Sequence, residues 1–118
     1  MNISNALTVD SIDEKKIIFE IMLTKEKILE TLRSNKPFFE KELGVIRIGL
    51  FGSYAKGKQI ADSDVDILVE LDEPSWSKLC GVWNILEKQL NTKVDLIRKG
   101  PHLREKFMNT VESEIIYA

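Results

Sequence analysis

The sequence is poor in the residues that several kinds of site require. It has one cysteine, Cys80, and one histidine, His102, among 118 residues. A single cysteine excludes an internal disulfide and is typical of a protein kept in a reducing cytoplasm. Cys80 is expected to be a small buried side chain, and His102 a surface residue. The spacing supports neither a Cys/His zinc site nor Ser-His-Asp catalysis that pairs His102 with Ser53.

Long apolar runs and a dominant charge are also missing. No stretch approaches the roughly 20 apolar residues of a membrane-spanning helix, and the N-terminus lacks the pattern of a secretion signal. The net charge is −2, from 17 basic and 19 acidic residues, whereas an extensive nucleic-acid surface usually needs a clearly basic balance. These features predict one cytoplasmic domain with a modest core, no membrane contact and no large nucleic-acid footprint.

The chain does contain alternating helical and strand-like segments. Apolar runs predict strands at 45–51, 64–69, 94–97 and 115–117, the last at a sheet edge. A helix capped by Ser75 is expected to place both tryptophans in the core rather than in a base-stacking platform. A last helix is expected to start at Gly100. Pro37 is expected to interrupt a helix and leave a short second one that ends at Gly44.

The beginning of the chain permits two interpretations. A capping-box pattern at Ser11 and apolar residues at helical spacing favour one long helix from Ser11 to about Ser34. In the alternative, that helix breaks at Leu23 and a new one begins with Thr24 as its cap.

The most informative stretch joins two segments of opposite chemistry. The first strand runs into Gly52, and Ser53 is expected to cap a short helical turn whose backbone N–H groups suit phosphate oxygens. Asp64 and Asp66 follow on one face of the next strand, where they repel each other unless a cation lies between them. Oxygen ligands suit Mg²⁺. Either segment alone is more often a plain turn or a solvated strand, but together they favour metal-assisted phosphoryl or nucleotidyl transfer.

Gly52-Ser53-x-x-Lys56-Gly57, followed by Ser63-Asp64-x-Asp66-Ile67, resembles the signature of the DNA polymerase β-like nucleotidyltransferases, and the size resembles that of the minimal nucleotidyltransferases (MNT). The resemblance covers about residues 22–118 as the catalytic domain and leaves 1–21 as a helical extension. It implies an α+β fold, with a small mixed β-sheet flanked by helices. It also needs a third carboxylate on a neighbouring strand, for which Asp95 is the candidate. Lysine at position 56 replaces the family's usual arginine and loses its bidentate contact.

What the resemblance implies about function is specific. Gly52 and Ser53 would hold the phosphates of ATP, with Lys56 or Lys58 adding charge. The metal ligands would be Asp64, Asp66 and Asp95, around two Mg²⁺ ions, and Asp95 would also orient the attacking hydroxyl.

The resemblance also implies a partner. MNT proteins are encoded beside HEPN-domain proteins, and the MNT member resembles an antitoxin that transfers AMP to a tyrosine of the HEPN ribonuclease toxin. The chain is therefore expected to act on such a partner, within a homo- or hetero-oligomer. Two alternatives stay open: an antitoxin that acts by binding alone, and a nucleotidyltransferase for a small-molecule acceptor.

Overall fold

The computed structural model describes residues 22–118, so the predicted helical extension at 1–21 lies outside the described residues. The elements, in chain order, are α1 (Lys25–Leu43), β1 (Val45–Phe51), α2 (Gly52–Lys56), β2 (Val65–Leu71), α3 (Trp76–Leu90), β3 (Val94–Arg98), α4 (Glu105–Glu114) and β4 (Ile116–Tyr117). The predicted α+β class is confirmed. Among the helices of this part of the chain, none has the length and apolar character needed to span a membrane.

The four strands form one mixed sheet in the order β3-β2-β1-β4. β1 is antiparallel to both β2 and β4, whereas β2 and β3 are parallel. The last strand therefore lies at an edge, as predicted. Because of these directions, the last residues of β1 lie beside the first residues of β2 and β3, at one end of the strands.

Helices cover both faces of the sheet. On one face α1 and α3 pack against it, with Ile28 and Leu86 fully buried beside Ile67. On the other face α4 packs through Val111 against Phe51 and Leu68. Since successive side chains of a strand point to opposite faces, the residues of β2 that do not enter the main core face α4.

The first helix differs from one prediction and settles another. Thr24 is extended, and its side chain accepts a hydrogen bond from the Lys27 N–H at 3.2 Å. The helix thus begins with the Thr24 cap, and the prediction of one long helix from Ser11 is wrong. The predicted break at Pro37 is also wrong, because α1 continues to Leu43. Proline removes one backbone hydrogen bond, but the fully buried Phe39 beyond it keeps the last turns packed on the sheet.

Two predictions about the later helices need correction. Ser75 caps α3 as expected, and Trp83 packs against the core, but Trp76 is 72% exposed. Trp76 is the first residue of α3, and the buried residues of this helix begin only at Leu79. The last helix begins at Glu105 rather than at Gly100, because residues 100–103 form a separate turn closed by the Leu103 N–H and the Gly100 carbonyl.

Candidate active site

The strand register places Asp66 at the centre of three strand ends. Asp66 is the register partner of Phe51 on β1 and of Asp95 on β3. Neighbouring strands lie about 4.8 Å apart, so Asp66 and Asp95 stand side by side on the face that carries α4. Asp66 is half-buried, while Asp95 is exposed.

The raised pKa of Asp66 shows that its carboxyl group lies among negative charges without a compensating positive charge. Its pKa is raised from 3.8 to about 6, first by burial and then by the negative charge of Asp95. The charges of Asp64 and Glu114 raise the pKa further, as does a hydrogen bond with the Asp95 carboxyl. Three acidic side chains thus act on Asp66, and a bound cation would relieve the repulsion between these negative charges.

Asp64 lies immediately before β2 and is exposed, so only Asp66 of the predicted pair belongs to the strand. Within residues 22–118, no three Asp, Glu, His or Cys side chains converge closely enough to hold a metal ion. Mutual repulsion keeps carboxylates apart when no cation neutralises them. The donors are nevertheless the carboxylate oxygens that Mg²⁺ prefers, and their excess negative charge fits a divalent cation.

The turn after β1 brings Gly52 against Asp66. Gly52 has a φ of 76°, and a Cβ at this position would lie 2.9 Å from the Asp66 Cγ. Glycine is therefore required both by the left-handed backbone and by the close approach of the carboxylate. The prediction that Ser53 caps the short helix is wrong. The N-cap is Phe51, whose hydrocarbon side chain cannot cap, and Ser53 lies in the first turn of α2.

The two predicted lysines differ in their surroundings. The Lys56 Nζ lies 3.1 Å from the Glu114 Oε2, next to the carboxylate cluster. Lys58 is exposed and forms no ion pair with any residue from 22 to 118. Its backbone N–H instead donates to the Ser53 carbonyl at 2.9 Å and so closes the end of α2.

Glu114 is a residue of the site that sequence reasoning missed. Its Oε1 accepts a hydrogen bond from the Gly52 N–H at 3.1 Å, while its Oε2 pairs with Lys56. The signal was available, because Phe107, Val111 and Glu114 follow one another at helical spacing. An acidic residue that continues the stripe of the buried Val111 is placed to face the sheet.

The helix α3 supports the strand that carries Asp95. The Trp83 Nε1 donates to the Val94 carbonyl at 2.8 Å, and the Glu87 Oε2 accepts from the Val94 N–H at 2.9 Å. β3 is an edge strand, so these two side chains satisfy backbone groups that would otherwise be unpaired. Together they fix the residue that precedes Asp95.

The model of a protein family described as "Nucleotidyltransferase domain" matches residues 25–117 of the chain. The chain is 41% identical over 97 residues to protein adenylyltransferase MntA of Thermococcus cleftensis, an overlap that covers 81% of this chain and 97% of the relative. A carboxylate cluster beside a glycine turn, on a mixed sheet, agrees with that match. The chain belongs to the nucleotidyltransferase domain family and is a nucleotidyltransferase enzyme.

Solved structures of toxin–antitoxin complexes have the same fold. One, a toxin–antitoxin with AMP-PNP, matches with a TM-score of 0.58 and 27% identity over 80% of this chain and 72% of that chain. Another is a MntA–HpeT complex in which two aspartates, two positions apart, are replaced by glutamate. It matches with a TM-score of 0.57 and 25% identity over 80% of this chain and 72% of that chain.

Proposed function

We propose that this enzyme transfers AMP from ATP to a hydroxyl group of a partner protein, and that it is the antitoxin that silences a HEPN-type ribonuclease toxin. The observation that carries the chemistry is the register of Asp66 and Asp95 beside Gly52. The curated relative is named a protein adenylyltransferase, and the similar solved structures are toxin–antitoxin complexes. These support a protein acceptor over a small molecule.

Three carboxylates are assigned to the cation. Asp64, Asp66 and Asp95 are the residues that would hold Mg²⁺. None of the ion pairs among residues 22–118 involves these three carboxylates, and the nearby Lys56 pairs with Glu114 instead. When bound, Mg²⁺ supplies neutralisation of the triphosphate and of the departing pyrophosphate.

The turn at the start of α2 is assigned to the phosphates. Ser53 offers its hydroxyl and its backbone N–H in the first turn, where unpaired donors suit phosphate oxygens. Lys56 adds positive charge beside them, and Lys58 extends that charge into solvent. The N–H of Gly52 is already hydrogen-bonded to Glu114 and is not assigned to a phosphate. Gly52 contributes to the site because it has no side chain that would obstruct the phosphates.

The transfer step needs a base and an open path to the acceptor. Asp95 is exposed next to Asp66, so it is placed to accept the proton of an incoming hydroxyl. The acceptor oxygen forms a bond to the α-phosphorus, the bond from that phosphorus to the bridging oxygen breaks, and pyrophosphate leaves. The proton passes from Asp95 to solvent. The protein's contribution is mainly positioning and electrostatic stabilisation.

The test is transfer of label from α-labelled ATP, with Mg²⁺, to the purified product of the neighbouring gene, which the proposal expects to be a HEPN-domain protein. Wild type is expected to label the partner, and Asp64→Ala/Asp66→Ala is expected to lose this by several orders of magnitude. Asp62→Ala, which removes an exposed aspartate from the same loop, is the matched control and should label normally.

Two results would contradict the proposed function. Label on a small molecule but never on the partner would reject the protein acceptor. A tight complex that forms equally well with both variants and acquires no label would reject transfer, and would favour an antitoxin that acts by binding alone.

A further inference from the structure

We propose that Glu114 is a positioning residue for the triphosphate site. Its side chain holds both ends of α2 in place before nucleotide binds. The inference rests on the proposed function, since it concerns the same turn and the same lysine. It adds a residue from the far end of the chain to the site, 62 positions from Gly52.

The geometry of the contact is that of a clamp. α2 has five residues, of which Gly52 is the first and Lys56 the last. One carboxylate oxygen of Glu114 accepts from the Gly52 N–H at 3.1 Å, and the other lies 3.1 Å from the Lys56 Nζ. A short helix has little stability of its own, so a side chain that contacts both of its ends fixes its position.

Glu114 is itself held firmly. The rings of Phe51 and Phe107 meet edge to face with centroids 6.2 Å apart, which fixes α4 to the end of β1. Val111, one turn before Glu114, is 1% exposed. The Glu114 side chain is only 16% exposed. It therefore adopts this position through packing rather than through a flexible surface ion pair.

The charge of Glu114 is unfavourable for its surroundings, which argues for a role beyond stability. It adds a third negative charge to those of Asp95 and Asp64 near Asp66, where negative charge is already in excess. A glutamine could accept the Gly52 hydrogen bond without that repulsion. What glutamine cannot do is hold the ammonium group of Lys56 by charge.

The contact with Glu114 leaves hydrogen-bond donors available for a phosphate. A lysine ammonium has three donors, so Lys56 keeps two when one points to Glu114. The Ser53 N–H and hydroxyl also remain for phosphate oxygens. Binding of a triphosphate thus requires no release of Glu114, and the pair acts as a preformed unit.

The first test needs no ligand. With ¹⁵N-glycine labelling, the six glycines give a sparse amide spectrum in which Gly52 is assigned by substitution. Glu114→Ala is expected to shift the Gly52 amide proton upfield and speed its exchange, while Gly81 in α3 stays unchanged. Glu114→Gln is expected to keep most of the Gly52 shift, because an amide oxygen still accepts. An unchanged Gly52 amide in Glu114→Ala would overturn the clamp.

The second test measures binding of α,β-methylene-ATP, which cannot transfer AMP, in the presence of Mg²⁺. Glu114→Gln is expected to raise the Kd about tenfold, the loss of one charge-assisted hydrogen bond. In a Lys56→Gln background the same substitution is expected to change the Kd by about twofold or less, because the two residues act as a unit. Glu112→Gln, on the same helix and 44% exposed, is the control and should bind normally.

The outcomes separate this inference from the proposed function. Wild type that binds the analogue but labels no partner would reject protein adenylylation and leave the role of Glu114 standing. Glu114→Gln that binds as tightly as wild type would show that the charge of Glu114 has no role, and tighter binding would show that the carboxylate competes with phosphate. Either result would overturn the inference alone. Wild type that binds no analogue would overturn both. Thermal melting of each variant checks that its fold is intact.

Discussion

Asp66 and Asp95 are register partners on two neighbouring parallel strands, and after burial the negative charge of Asp95 is the main cause that raises the pKa of Asp66 to about 6. A carboxyl group with a raised pKa takes up a proton more readily than an ordinary one, so a proton and a cation compete for Asp66. The protein without cation and the protein with cation therefore differ in protonation as well as in occupancy.

Asp66→Asn is expected to stabilise the protein at about pH 7.5 in the absence of divalent ions. The folded-state pKa of Asp66 is about 6 against 3.8 unperturbed, so the native state binds more protons than the unfolded state between these values. Stability thus falls as pH rises through this window. Screening by water at this half-buried group reduces the gain to about 1 kcal/mol, or about 4–8 °C in Tm.

The measurement is the difference in free energy of unfolding between wild type and Asp66→Asn, followed from about pH 4 to pH 7.5. It is expected to widen as pH rises. Asp64→Asn serves as the comparison, because Asp64 is exposed and its substitution should have a small effect. A difference that stays constant with pH would contradict the prediction.

Mg²⁺ is expected to raise the Tm of wild type by a few degrees at neutral pH and by less at about pH 5, where a proton competes for Asp66. Ligands that bind only the native state stabilise it by mass action, about 1.4 kcal/mol at ten times the Kd. Asp95→Asn should lose this gain, whereas Asp62→Asn should keep it. Equal stabilisation of all three proteins by Mg²⁺ would place the ion elsewhere.

Gly52→Ala is expected to reduce AMP transfer about 100-fold while the protein still folds, since displacement of a catalytic group by about 1 Å can cost that much. The new Cβ would lie 2.9 Å from the Asp66 Cγ and push the carboxylate away.

Gly57→Ala separates the two effects of that substitution. Gly57 also has a positive φ, of 69°, but a Cβ there would meet no described atom within 4 Å. It should reproduce the backbone strain alone, with a cost of about 1–2 kcal/mol in stability and little loss of transfer. If both variants lose transfer equally, strain rather than the contact with Asp66 would be responsible.

Lys56→Arg is expected to lower the Kd for α,β-methylene-ATP several-fold. A guanidinium can pair with the Glu114 Oε2 and still present donors to a phosphate in a fixed plane, which the lysine ammonium cannot do as rigidly. Lys58→Arg, two residues beyond α2, is the control and should leave the Kd unchanged. An equal gain from both would mean that only general charge matters. The binding is best followed by isothermal calorimetry.

The parts of the fold that depend on local pattern could be predicted from the sequence. The apolar run 45–51 predicts β1 with the bounds that the structure has, and Ser75 caps α3 as its sequence indicates. The order of Gly52, Asp66 and Asp95 along the chain was informative because each comes at or next to a strand end. That these three residues come together at one end of the strands then follows from the strand directions.

What could not be predicted depends on contacts distant in sequence. Pro37 is tolerated within α1 because Phe39, beyond it, is buried on the sheet, and local helix propensity does not include that gain. The pairing of Glu114 with Gly52 depends on how α4 packs, which no spacing rule provides. Ser53 does not cap α2, because Phe51 already adopts the extended cap conformation and the helix begins at Gly52.

The hydrogen bond from the Trp83 indole to the Val94 carbonyl gives the enzyme a built-in optical probe. Trp83 lies against the strand of Asp95, while Trp76 follows the far end of β2, at the opposite edge of the sheet, and is 72% exposed. A soluble quencher should therefore suppress the emission of Trp76 more strongly than that of the half-buried Trp83. The remaining fluorescence reads the environment next to the carboxylates, so cation and nucleotide binding can be followed in the native chain without an attached dye.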